Sequence, residues 1–267
     1  MGENDPITKT QYRPRIDYKD DLRQAFIVAK YEVMKFLSGK KILIFGLLEV
    51  ITLALMSAVI FIFGDSGMKA EDGLMTFMSV TTLIALIAAT LFSSVTLVSE
   101  FDERTSLLLF TKPIRKISIF AGKFMAAFGL NIGSMLVFYI VSAIVVAIKT
   151  GGFTSNLFTS FGYCLLYLFA LTGIAMLFSS LMKKSSSASI MTFVFVLLVP
   201  SIVGSIIVIT NDGDTSKAWF ILDFAASSIT YSVNSVIPEG PRDALVMLLW
   251  GLIPLAGSYF LFKRREV

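Results

Sequence analysis

The chain has 267 residues, of which 55% are hydrophobic and only 16% charged, and its mean hydropathy is +0.79. A soluble domain carries about 25% charged residues, and here the apolar residues gather in long blocks, which excludes a soluble enzyme, a disordered chain and a disulfide scaffold and indicates a polytopic membrane protein. With no histidine, Ser-His-Asp and Cys-His catalysis and His metal sites are also excluded, and the single cysteine, Cys164, reads as a buried, inert thiol in an apolar run.

Residues 1–41 are polar and basic and contain no short apolar signal core, so the first span is expected to act as an uncleaved insertion signal. Within this segment Leu22, Phe26, Ala29, Val33 and Phe36 or Leu37 recur at helical spacing, with Lys19, Arg23, Lys30 and Lys35 around them. That pattern predicts an amphipathic helix lying on the membrane surface. Ser38-Gly39-Lys40-Lys41 then marks a bend.

Six stretches are long enough to cross a bilayer, at 42–63, 74–98, 124–148, 158–181, 190–209 and 244–262. The expected organisation is therefore a cytoplasmic segment 1–41, a six-span domain 42–262 and a short tail 263–267. The fold class is all-α. The connections on one side hold 19 of the 23 Lys and Arg, and those on the other side hold four. This asymmetry predicts that both termini are cytoplasmic. It also accounts for the net charge of +4 without any role in nucleic-acid binding.

Span 1 carries one ionisable residue, Glu49, at a depth of roughly 10–12 Å. An isolated carboxylate there is costly. Either it serves a substrate path or a dimer interface, or it is a neutral acid bonded to a nearby Ser or Thr. Between spans 2 and 3 runs Ser99-Glu100-Phe101-Asp102-Glu103-Arg104-Thr105-Ser106-Leu107-Leu108-Leu109-Phe110-Thr111-Lys112-Pro113-Ile114-Arg115-Lys116. Acids lead and bases follow, as a helix dipole prefers. Pro113 ends a short helix near Thr111 and can start the next one. Its leucine patch is either a docking surface for another protein or a dip of the chain into the headgroups.

Gly129 and Gly133 in span 3 form a G-x-x-x-G pair suited to close helix packing. Pro200 in span 5 and Pro254 in span 6 are hinge candidates. The segment 210–243 carries an apolar face at Trp219, Leu222, Ala226, Ile229, Val233 and Val236. A seventh span there would place the basic tail outside, so interfacial or re-entrant helices are expected instead.

The span 2–3 connection resembles the cytoplasmic loop of ABC-2 type transporter permeases. The matching residues are Glu100, Thr105, Leu108-Leu109, Pro113-Ile114, Arg115-Lys116 and Gly122-Lys123, with Arg104 standing where that family often has glycine. Ala29-Lys30-Tyr31-Glu32 with Ser38-Gly39-Lys40-Lys41 is similar to the family's elbow helix. The resemblance implies a permease subunit in the plasma membrane that pairs with a second copy or homologue and exports its cargo. It also implies a separate subunit that binds ATP and Mg and docks on a coupling helix here. Glu100, Asp102, Arg104, Thr105, Leu107, Leu108, Leu109, Pro113 and Arg115 would form that contact. The chain has no G-x-x-x-x-G-K-[ST], since position 117 is Ile, so it carries no P-loop and no catalytic, cofactor or metal residues are assigned to it. The alternative is a secondary transporter or channel without an ATPase partner, a class that usually shows paired charges within its spans.

Overall fold

The computed structural model describes residues 18–65, 67–99, 115–211, 215–234 and 239–264. Its helices are α1 (Tyr18–Leu37), α2 (Lys40–Phe63), α3 (Ala70–Phe92), α4 (Lys116–Thr150), α5 (Asn156–Leu181), α6 (Ser185–Thr210), α7 (Leu222–Ala226), α8 (Ser228–Tyr231) and α9 (Gly240–Arg264). Single 3-10 turns at Thr215–Ala218 and Ser232–Asn234 flank α7 and α8. No strand occurs among the described residues. Six helices, α2 to α6 and α9, are long and apolar enough to cross a membrane.

Most helices outrun their apolar stretches, because hydropathy marks the lipid-facing part of a helix and not its ends. The clearest case is α4, whose 35 residues span roughly 50 Å, well beyond the hydrocarbon thickness. It starts at Lys116 and ends at Gly151, whose φ of 68° supplies the left-handed cap. Six crossings bring both ends of the chain to one side, the terminal side. There the Lys116 ammonium donates to the Lys263 carbonyl at 3.3 Å, joining the start of α4 to the end of α9.

At the centre of the bundle is α5. Cys164, Tyr167, Leu168, Leu171 and Ile174 are each at most 2% exposed. It meets α9 at two glycines. A Cβ on Gly173 would lie 2.4 Å from the Gly251 carbonyl oxygen, and one on Gly251 would lie 2.3 Å from the Phe169 ring. Two backbones can approach this closely only where both side chains are absent. The Ser258 hydroxyl adds a bond to the Met176 carbonyl at 2.8 Å.

Gly129 and Gly133, by contrast, face outward. A Cβ at either would meet nothing within 4 Å, so the expected close packing within the chain does not occur there. The inward face of α4 is instead Ala126, Ala127, Asn131, Met135 and Phe138. Gly173→Leu is therefore expected to lower the melting temperature of the purified protein by overpacking, at about 1–3 kcal/mol. Gly129→Ala should leave it unchanged, and thermal unfolding in detergent distinguishes the two.

The C-terminal end of span 2 differs from the expected boundary. Span 2 was expected to reach residue 98, but α3 ends at Phe92 and the chain then turns through 93–97. As expected, no described helix in the segment 210–243 is long enough to be a seventh span. The segment breaks into 3-10 turns and the short helices α7 and α8, because it is tied down repeatedly. Ser160 donates to the Ile229 carbonyl at 2.6 Å, Asn156 to the Val233 carbonyl at 2.9 Å and Trp250 to the Phe220 carbonyl at 2.9 Å. Leu222, Ile229 and Val233 are fully buried, whereas Trp219 is exposed, and Val236 lies outside the described residues.

Candidate functional site

One group of buried polar residues lies on the terminal side, where α3 stops. Non-helical backbone at membrane depth survives only if protein satisfies its polar groups. Here Ser93, Ser94, Thr96, Leu97, Val98 and Ser99 are all buried, and each neighbouring helix supplies a partner. From α5, Ser179 Oγ accepts from the amides of Leu97 and Val98, both at 3.0 Å. From α4, Asn131 Nδ2 donates to Ser93 Oγ at 2.8 Å and also to Thr172 Oγ1 of α5 at 3.1 Å. From α6, Ser189 Oγ lies 2.8 Å from Ser94 Oγ. The local cause of the break is the same set of hydroxyls. Ser94 and Thr96 bond back to the carbonyls of Thr90 and Phe92 and compete with helix continuation.

A buried lysine joins this turn to α1. Lys123 on α4 is 1% exposed, and its Nζ lies 2.9 Å from the Thr96 carbonyl and 3.2 Å from Glu32 Oε2. Glu32, on α1, is itself 6% exposed. One residue earlier, Gly122 lets α1 press against α4, since a Cβ there would sit 2.6 Å from the Ala25 carbonyl oxygen. Further out, Arg115 Nη1 pairs with Asp21 Oδ2 at 2.9 Å. The helix α1 is thus clamped along the first turns of α4 by two ion pairs and a backbone contact between them. Below it, Leu97, Ile119, Phe120, Met176 and Phe262 form a small apolar cluster.

The helix α1 packs on the protein along a narrower strip than its apolar face. The buried residues are Ala25, Glu32 and Phe36, while Leu22, Phe26 and Leu37 are exposed by more than half. One edge of the apolar face packs while the rest stays open.

Of the expected coupling residues, Arg115 is placed, at the end of the clamp. Glu100, Asp102, Arg104, Thr105, Leu107, Leu108, Leu109 and Pro113 lie outside the described residues. The described residues on either side of them are the buried turn 93–99 and Arg115 of the clamp. Sequence reasoning missed Glu32, Lys123, Asn131 and Ser179. The available signals were Gly122-Lys123 and Ala29-Lys30-Tyr31-Glu32, both part of the family resemblance, with nothing in the sequence to link them.

Glu49 lies elsewhere. It is 6% exposed on the inward face of α2 with Phe45 and Leu53, and its Oε1 is enclosed with no hydrogen-bond partner. It faces neither a Ser or Thr through that oxygen nor the open surface. Pro200 and Pro254 each sit inside a continuous helix.

Residues 26–267 match the protein family described as ABC-2 family transporter protein. No curated protein matches the chain.

Proposed function

The chain belongs to the ABC-2 transporter family, so it is a multi-pass membrane subunit of an ABC transporter, and from that premise we propose that it is driven by a separate ATP-binding subunit docked on segment 100–115. The observation that carries this is the anchoring of that segment. A loop meant to transmit force must not be free to slip at its roots. One root here is a buried turn bonded to α4, α5 and α6, and the other is α4 pinned to α1 through Lys123, Glu32, Arg115 and Asp21. A displacement of the loop would therefore pull on four helices at once.

In this account Leu107, Leu108 and Leu109 bury in a groove of the ATP-binding subunit, which carries the ATP and Mg. Glu100, Asp102, Arg104 and Arg115 orient them, with Thr105 and Pro113 shaping the turns. Burying one leucine contributes roughly 1.5–3 kcal/mol, so the patch is enough to hold two subunits through a stroke. The exposed apolar edge of α1 lies in the headgroup layer as an elbow helix. Both termini lie in the cytoplasm, the membrane is the plasma membrane and the direction is export. A second permease copy or homologue completes the pathway. It is supported by α2 and α6, which bury the least of the six spans within the chain.

Leu108→Asp is expected to abolish co-purification with the ATP-binding subunit while leaving the yield and melting temperature of the permease unchanged. Retention of the ATP-binding subunit by that variant at the wild-type level would rule out the docking role.

A further inference from the structure

On the far side, opposite the termini, a cavity of about 920 Å³ opens between the end of α6, the turns around α7 and α8, and the start of α9. Its size is in the range that takes a whole small molecule. One wall is aromatic, with Trp219 and Tyr231. The lining also carries Asp223, Glu239 and Asp243, with one guanidinium, that of Arg242. Arg242 pairs with Glu239, lies 3.7 Å from Asp243 and stacks its guanidinium 5.9 Å from the Trp219 ring, and its Nε is enclosed without a hydrogen-bond partner.

Among the described residues, Asp223 is the carboxylate of this lining with no ion pair. Its Oδ2 lies 2.7 Å from the Ser201 hydroxyl, which also lies 2.9 Å from the Leu197 carbonyl. One hydroxyl proton serves only one of these acceptors at a time. Burial pushes the Asp223 carboxyl above its ordinary range, with the Ser201 bond opposing that shift. Asp223 and Ser201 also line a second, smaller cavity of about 120 Å³, which runs inward between α3, α5 and α6 along Leu86 and Val196. Asp223 and Ser201 thus border both cavities, and the smaller one combines Thr82 and Tyr167 with the apolar side chains of Leu83, Leu86, Val196 and Leu197.

We propose that this pair of cavities is a binding site for an amphiphile whose polar end is a protonated amine. The amine sits at Asp223 against the aromatic wall, and the apolar portion enters the cleft between α3 and α6. A carboxylate beside a cleft that offers Leu83, Leu86, Val196 and Leu197 suits a ligand with a cationic head and an apolar tail, and the Tyr231 ring adds cation–π attraction for the same head. Two sources share this chemistry, an aminophospholipid of the bilayer and a soluble amphiphilic amine. The site stands on the cavity geometry and is independent of how the subunit is driven.

The test is photo-crosslinking of the full chain in phosphatidylglycerol nanodiscs, with the attachment sites mapped by mass spectrometry. The probes are a photoreactive phosphatidylethanolamine, a photoreactive octylamine and, as control, a photoreactive phosphatidylglycerol. Amine probes are expected to label the walls around Trp219 and Tyr231, and Asp223→Asn and, separately, Tyr231→Ala should each cut that labelling by about tenfold. Labelling by the phosphatidylethanolamine alone supports the site with lipid as its occupant. Labelling by octylamine, competed by unlabelled amine, supports it with a soluble occupant. Equal labelling by phosphatidylglycerol, or labelling that Asp223→Asn leaves unchanged in protein of wild-type melting temperature, overturns it.

Discussion

Lys123→Met is expected to lower the unfolding free energy by about 3–5 kcal/mol, the cost of stranding one member of a buried ion pair. Lys123 and Glu32 are both nearly inaccessible, and the lysine also holds the Thr96 carbonyl. Removing the ammonium leaves the Glu32 carboxylate enclosed, with one oxygen already unpartnered, and frees a carbonyl of the buried turn. Glu32→Gln removes the opposite charge and should also destabilise, by less, since the amide still reaches the lysine. The double variant Lys123→Met with Glu32→Leu removes both charges and fills the space with apolar atoms, an exchange that is often neutral or stabilising. The expected pattern in detergent melting curves is a large loss for Lys123→Met and substantial recovery in the double variant. A Lys123→Met protein that melts at the wild-type temperature would show that α1 is held by packing at Gly122 alone.

The second large effect is expected at Ser179. Its hydroxyl oxygen accepts from two consecutive amides, those of Leu97 and Val98. Both residues are fully buried, so no water is at hand to replace it. Ser179→Ala leaves two buried N–H groups unsatisfied at about 1–3 kcal/mol each. Hydrogen exchange at Leu97 and Val98 should rise sharply along with a fall in melting temperature. Ser179→Thr keeps the acceptor and should restore protection. Unchanged exchange at both amides in the alanine variant would contradict the role assigned to this oxygen.

The six spans were legible because bilayer crossing demands about 20 apolar residues in a row, and that demand is written locally. The end of α3 was not, because Val95, Leu97 and Val98 keep the run apolar while Ser93, Ser94 and Thr96 divert the backbone. What satisfies the turn comes from Asn131, Thr172, Ser179 and Ser189, which no local pattern links to it. Lys123 read as a boundary cation because it follows a basic loop, and its partner Glu32 is on another helix far back in the sequence. The glycine contact that matters, Gly173 with Gly251, joins single glycines on α5 and α9. The visible G-x-x-x-G pair at Gly129 and Gly133 turned outward. Local patterning thus located the helices, and the long-range polar pairs that position the loop emerged only from the packing.

The central claim is that segment 100–115 meets an ATP-binding subunit at the terminal side. It is tested most directly by Leu108→Cys in a Cys164→Ser background, labelled with a membrane-impermeant maleimide in oriented vesicles. The account predicts labelling in inside-out vesicles only, with protection at position 108 once the ATP-binding subunit is bound. Labelling in right-side-out vesicles, or undiminished labelling in the assembled complex, would contradict it.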